Sequence, residues 1–242
     1  MKEINIKGDI IVNDMAWMYD WFGIDYTCPK NIIDALSDAN GDEVAFKINS
    51  HGGLIEAASE IYAEIRSYKG KKTARIMGMA ASAASVIATA CYCEMSPTAL
   101  FMMHNVSASG VSGDHLDMEH QAEVLETADK TMAAAYVAKT GKSEDEILSL
   151  MAKETWLDAN RALELGLIDK IMFDETSINL PLSNMANLLE NNLMNTTSFA
   201  SIPSDMIEKL IKNQQNQKED LLNVKKQKLE SELRLLKLGG KI

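Results

Sequence analysis

The chain has 242 residues, enough for one sizeable hydrophobic core and an appendage. Its formal net charge of −11 argues against a nucleic-acid-binding surface on the body of the protein. Because no apolar stretch is long enough to cross a bilayer and the N-terminus lacks a signal-peptide core, we expect a cytoplasmic protein without membrane contact.

Strand and helix patterns alternate through the first hundred residues. Apolar alternation and short apolar runs predict strands, and apolar residues at helical spacing predict the helices between them. The predicted strands are residues 4–12, 43–49, 73–77 and 99–104. Short links between strands and helices favour parallel pairing, so the sequence predicts an α/β fold.

The second half of the body is mainly helical. A long amphipathic helix is predicted from about Asp114 to Lys139, with Gly141 breaking it, and Asp158 is placed as the N-cap of a last short helix. We predict that the body comprises residues 1–173.

A different composition follows the body. Residues 174–203 are rich in Asn, Ser and Thr and predict a flexible linker. Residues 204–242 favour helix and form a basic tail, since residues 203–242 hold nine Lys and Arg against six Asp and Glu. A basic tail on an acidic body suggests a separate partner or a neighbouring subunit.

One serine and one histidine could carry chemistry. Ser82 is predicted where a strand turns into a helix, so unpaired backbone N–H groups, including that of Ala83, would face a substrate carbonyl. His104 ends the next strand and could act as its base, while Gly52 could offer a second N–H for an oxyanion hole. Each feature also has a structural explanation, because small residues let a helix pack closely, a histidine can end a strand and paired glycines make turns.

The cysteines do not predict a metal or redox site. Cys28, Cys91 and Cys93 lack the usual zinc spacing, and buried reduced thiols are favoured. No cofactor and no metal are predicted.

Four segments together resemble the Clp protease proteolytic subunit (ClpP) family. They are residues 48–53 (INSHGG), 78–82 (GMAAS), 102–104 (MMH) and 164–169 (ELGLID), and the similarity covers roughly residues 3–172. The resemblance implies a ClpP/crotonase-type spiral of β-α units with the helix at 114–139 as a projecting handle. It also implies a homo-oligomeric ring, with two rings able to stack through the handles.

The resemblance further implies a serine endopeptidase. Carried over by position, Ser82 is the nucleophile, His104 the general base, and Gly52 and Ala83 the oxyanion donors. The family's aspartate falls on Glu154, a departure from the family pattern. Asp158 competes for the role of triad acid, although its position suits a helix cap better.

Other departures indicate a branch of the family. The first strand begins almost at Met1, without the N-terminal segment that forms axial loops in cellular ClpP, and about seventy residues follow the last strand. Together with Trp17, Trp21 and the Glu-Thr-Trp segment, these features resemble the ClpP-related head maturation proteases of tailed bacteriophages. Such an enzyme would cleave scaffold or major capsid protein inside a procapsid, in the bacterial host cytoplasm.

Three alternatives remain open at this stage. They are a cellular ATP-dependent Clp-type peptidase subunit, a crotonase-type acyl-CoA enzyme on the same fold, and a catalytically inactive ClpP-like scaffold.

Overall fold

The structure is a computed structural model, and it describes residues 1–173. Its strands are β1 (Lys2–Ile10), β2 (Tyr26–Thr27), β3 (Val44–Gly53), β4 (Lys72–Ala81), β5 (Tyr92–Met95), β6 (Leu100–Met103), β7 (Thr155–Leu157) and β8 (Lys170–Ile171). Its α-helices are α1 (Ala16–Phe22), α2 (Pro29–Ala39), α3 (Ile55–Ser67), α4 (Ala83–Ala88), α5 (His115–Thr140), α6 (Glu144–Ala152) and α7 (Ala159–Glu164). A single 3-10 turn (Asn13–Met15) precedes α1.

The strands form one sheet in the order β2-β1-β3-β4-β5-β8. The long strand β4 pairs with β5 through residues 73–76 and with β6 through residues 79–81. The pairs are parallel, apart from the antiparallel pair of β6 and β7. The predicted α/β fold with parallel pairing is confirmed. The carboxyl ends of β4 and β6 therefore lie side by side.

The core surrounds β3 and β4 in the middle of the sheet. Val44, Ala45 and Phe46 are consecutive in β3 and have no exposed surface, so this strand is buried on both faces. All six residues of α4 are buried too, and Ala83, Ala84 and Ala88 let this helix pack closely against the strands. This packing gives the residue that begins α4 a fixed position.

Helix capping agrees with two sequence predictions. The side chain of Asp114 accepts hydrogen bonds from the first turn of α5, and Gly141 ends that helix with a φ of 71°, so the long helix is confirmed to within one residue at each end. The Asp158 carboxylate accepts from the Arg161 N–H at 2.7 Å and caps α7, as predicted.

The predicted linker at 174–203 and the basic tail at 204–242 lie outside the described residues. Within residues 1–173, no helix combines the length and apolar character that crossing a bilayer requires.

Candidate active site

Ser82 makes the turn between β4 and α4. Its φ of 54° and ψ of −127° lie in a region that residues other than glycine rarely adopt. Strain of this kind persists where the surroundings impose it, which is common at functional sites. Here the Ser82 N–H donates to the Met102 carbonyl of β6 at 3.0 Å. The turn is thereby held against the neighbouring strand with its hydroxyl at the carboxyl end of β4.

His104 follows β6 and faces this hydroxyl. Ala81 of β4 lies opposite Met102 of β6, so the residues that follow the two strands are neighbours. The distance from His104 Nε2 to Ser82 Oγ is 2.7 Å. With the ring proton on Nδ1, Nε2 accepts the hydroxyl proton, which is the arrangement of a general base with its nucleophile. The structure thus brings together the two side chains that the sequence singled out.

The pair lines a cavity of about 70 Å³. Ile55, Val86 and Met132 contribute apolar side chains to the same cavity. Asn105, Ser107 and Tyr136 share the lining, so the cavity has both polar and apolar walls.

Two segments of backbone near Ser82 are candidates for the oxyanion hole. Ala83 is the first residue of α4, so its N–H has no partner inside the helix and is available to a ligand. Gly52 lies close to it, because a Cβ on Gly52 would be 2.8 Å from Ser82 Cβ and 3.0 Å from Ala83 N. The Gly52 N–H, however, donates to Ser50 Oγ at 3.1 Å. Gly53 lines the cavity and is a second candidate donor, which the sequence analysis missed although the paired glycines signalled it.

Glu154 directly precedes the strand residue that pairs beside His104. In the antiparallel pair of β6 and β7, Met103 is opposite Thr155, and this is the last pair of the ladder. Glu154 has a φ of 48°, so its backbone lies outside the strand. The Glu154 side chain is exposed and accepts from Trp156 Nε1 at 3.3 Å. Within residues 1–173, the hydrogen bond found for the His104 ring is the one to Ser82. The main chain of Glu154 is therefore close in sequence to the strand pair beside His104, while its carboxylate is hydrogen-bonded to Trp156 and not to the imidazole.

Asp158, the competing acid, is engaged at the start of α7. Its carboxylate accepts the Arg161 N–H, as expected of a helix cap.

Two contacts from α5 reach the site and were not foreseen. The Tyr136 hydroxyl lies 2.7 Å from Ser85 Oγ, and Ser85 Oγ donates to the Ser82 carbonyl at 2.6 Å. The Asp129 carboxylate accepts from the Val106 N–H at 2.5 Å, two residues after His104. The prediction of α5 as a helix does not identify the partner of the Tyr136 hydroxyl, because the burial in α5 is confined to its second half.

The thiols lie away from this arrangement. Burial raises the pKa of Cys91 to about 11 and raises that of Cys93 further, so both are neutral at physiological pH. Among residues 1–173, no cluster of three or more His, Cys, Asp or Glu side chains could hold a metal ion.

Known proteins share this sequence pattern and this fold. The "ATP-dependent Clp protease proteolytic subunit 1" of Chlamydia trachomatis is 32% identical over 141 residues, which cover 55% of this chain and 71% of that protein. The protein of the same name from Protochlamydia amoebophila is 31% identical over 136 residues, covering 54% and 66%. A ClpP1 mutant structure from Listeria monocytogenes superposes with a TM-score of 0.58 at 21% identity, over 72% of this chain and 92% of that one, and shows the shared fold.

The core is a mostly parallel α/β sheet, Ser82 stands at a strand-to-helix turn, and His104 is hydrogen-bonded to it. Residues 28–175 match the model of the Clp protease family. The chain belongs to that family.

Proposed function

We propose that the chain is a serine endopeptidase in which Ser82 attacks the peptide carbonyl and His104 takes the hydroxyl proton. The observation that supports this most directly is the 2.7 Å contact between Ser82 Oγ and His104 Nε2 at the carboxyl ends of two parallel strands. His104 then returns the proton to the leaving amine, and water attacks the acyl-enzyme by the same steps in reverse order. Membership of the Clp protease family favours a peptidase over an acyl-CoA enzyme.

The tetrahedral oxyanion is received by main-chain amides. In this proposal the Ala83 N–H is one donor and an amide of the Gly52-Gly53 pair is the other. If Gly52 serves, its N–H must leave Ser50 Oγ when substrate binds. If Gly53 serves, the bond from Gly52 to Ser50 keeps the loop in place.

Glu154 completes the proposed triad. Its main chain precedes Thr155, which pairs with Met103 next to His104, and its carboxylate would leave Trp156 to accept a hydrogen bond from the imidazole Nδ1–H. Asp158 is less suited, because it caps α7.

Labelling with a fluorophosphonate tests the nucleophile. We expect a single adduct on Ser82 of the full-length protein, abolished in Ser82→Ala. Ser107 lines the same cavity and supplies a matched control, since Ser107→Ala should label like the wild type. A stable protein that is never labelled, or is labelled on another residue, would refute the proposal.

For the biological role, we propose a phage head maturation protease that assembles as a ring and cleaves scaffold or major capsid protein. Two features of this chain support the proposal: the glutamate in place of the family's aspartate, and a net positive segment beyond the family match at residues 28–175. Residues 174–203 would act as linker and 204–242 as a tether to scaffold or capsid protein. Deleting residues 175–242 should abolish incorporation into procapsids, and normal incorporation would contradict the tether.

The second candidate is a cellular Clp-type peptidase subunit. It is favoured by the names of the relatives from Chlamydia trachomatis and Protochlamydia amoebophila, which are ATP-dependent Clp protease subunits. Co-purification of the full-length chain with an ATPase from its native host would support this role, and co-purification with capsid or scaffold protein would support the first.

The third candidate is a catalytically inactive ClpP-like scaffold. The carboxylate of Glu154 turned toward Trp156 is the observation that favours it. The fluorophosphonate experiment separates it from both peptidases.

A further inference from the structure

A chain of buried polar groups joins α5 to the nucleophile turn. Ser85 Oγ donates to the Ser82 carbonyl oxygen at 2.6 Å and lies 2.7 Å from Tyr136 Oη. Ser85 is 0% and Tyr136 2% exposed, so water does not compete for these bonds. The Ser85 hydroxyl has one hydrogen, and it donates that hydrogen in the bond to the Ser82 carbonyl. Ser85 Oγ must therefore accept the hydrogen bond from the Tyr136 hydroxyl.

Tyr136 is suited to be the donor at the end of this chain. Burial raises the pKa of its phenol well above the ordinary value, so the group keeps its proton across the physiological range. Its ring packs edge-on against Phe101 of β6, with the ring centres 6.5 Å apart, which fixes the direction of the hydroxyl.

The bond to the Ser82 carbonyl acts on the oxyanion donor through peptide geometry. The Ser82 C=O and the Ala83 N–H belong to one peptide group, which is planar and trans, so the two bonds point in opposite directions. Fixing the carbonyl from one side therefore fixes the N–H on the other. The Ser85 N–H and the Val86 N–H also donate to this carbonyl, at 2.9 Å and 3.3 Å. Bonds aligned in this way polarise the peptide group and strengthen its N–H as a donor.

We infer that Ser85 and Tyr136 are positioning residues, which hold the Ser82–Ala83 peptide group so that the Ala83 N–H points at the oxyanion. The inference rests on the proposed function, since this direction matters when Ser82 attacks a carbonyl or a phosphoryl centre.

A positioning role and a purely structural role predict different labelling rates for one double variant. Ser85→Ala leaves the Tyr136 phenol buried without its acceptor, so it lowers stability as well as rate. Ser85→Ala combined with Tyr136→Phe removes both polar groups, and removing both partners of a buried hydrogen bond restores much of the stability. If the chain positions the amide, stability returns in the double variant while the rate stays low. If the chain is structural, the rate follows the stability.

The experiment measures the second-order rate of fluorophosphonate labelling and the thermal midpoint for the full-length protein. The phosphoryl oxygen of the adduct occupies the oxyanion site, so labelling reports on the Ala83 N–H. We expect Ser85→Ala and the double variant to label about tenfold more slowly than the wild type, a fraction of the effect of removing an oxyanion donor outright. Tyr136→Phe, which leaves the Ser85 bond in place, should slow labelling about threefold.

Thr89→Val is the matched control. Thr89 Oγ1 donates to the Val86 carbonyl at 2.7 Å, a buried bond of the same three-residue spacing in the same region of chain, beyond the last turn of α4. Its loss should lower the thermal midpoint and leave the labelling rate within twofold of the wild type.

Two outcomes overturn the inference alone while the wild type labels on Ser82. One is a double variant that labels at the wild-type rate, and the other is a Thr89→Val protein slowed as much as Ser85→Ala. A folded wild type that is not labelled on Ser82 overturns the proposed function, and the inference with it.

Discussion

Replacing Gly52 by alanine tests how tightly the oxyanion loop is packed against the nucleophile. The added Cβ would lie 2.7 Å from the Ala81 carbonyl oxygen, 2.8 Å from Ser82 Cβ and 3.0 Å from Ala83 N. Two of these three atoms belong to the backbone on either side of Ser82, so they cannot rotate away. The Ser82 turn itself must shift.

The cost has a conformational part and a steric part. Gly52 has a φ of 108°, and an alanine held at positive φ costs about 1–2 kcal/mol. The close contacts add about 1–3 kcal/mol, as overpacking does in other cores. Gly41→Ala isolates the first part, because Gly41 has a φ of 89° with no atom within 4 Å of the added Cβ.

Thermal unfolding and fluorophosphonate labelling measure the two consequences. Since 1 kcal/mol shifts the midpoint of a chain of this size by about 2–4 °C, Gly52→Ala should melt roughly 2–12 °C below Gly41→Ala. A displacement of the nucleophile by about 1 Å costs about 100-fold in rate, so Gly52→Ala should label about 100-fold more slowly, while Gly41→Ala labels normally. Equal midpoints and equal labelling rates in the two variants would refute this description of the loop.

Three further predictions follow from the site and its surroundings. Glu154→Gln should lower kcat at least tenfold and leave assembly intact. Asp158→Asn should leave kcat unchanged and lower the free energy of unfolding by about 1 kcal/mol, because it weakens the helix cap. Peptidase assays that show the opposite pattern would identify Asp158 as the triad acid. Ser82→Ala and His104→Ala should each lower turnover on the order of 10³-fold or more and the double variant little further, so multiplicative losses would contradict a joint role. Burial raises the pKa of the native Cys91 thiol to about 11, so its thiolate fraction at pH 8 is about 100-fold below that of an ordinary thiol. Iodoacetamide should therefore modify Cys91 far more slowly in the native protein than in the urea-unfolded protein. Equal rates would contradict the burial of this thiol.

The sequence predicted a strand before Ser82 and a strand before His104, and the structure shows that these strands are parallel neighbours ending at the same edge of the sheet. The sequence analysis missed β5, which lies between them in the chain, so the pairing of β4 with β6 did not follow from the pattern. The caps at Asp114 and Asp158 were also predictable, because a cap depends on residues within one turn of chain.

The parts that depend on side-chain partners were not predictable. The Gly52 amide is engaged by Ser50, two residues away, and no rule of periodicity indicates which amide of a glycine pair remains available. Tyr136 meets Ser85 across 51 residues, and an apolar stripe predicts burial of the ring without identifying what its hydroxyl contacts. Hydrogen-bond partners of this kind are set by the packing of α5 against α4, which the pattern of each helix does not contain.

For Glu154, too, the side-chain partner was not predictable from the sequence pattern. Its main chain precedes Thr155, which pairs with Met103 next to His104, and its side chain takes the Trp156 N–H as partner. That bond is long, at 3.3 Å, and the carboxylate is exposed to water that competes for it, so the bond is weak. A bond to the imidazolium that forms as Ser82 loses its proton is charge-assisted and contributes about 1.5–3 kcal/mol. The proposed triad therefore requires the carboxylate to exchange its weak bond with Trp156 for this stronger one as the imidazolium forms.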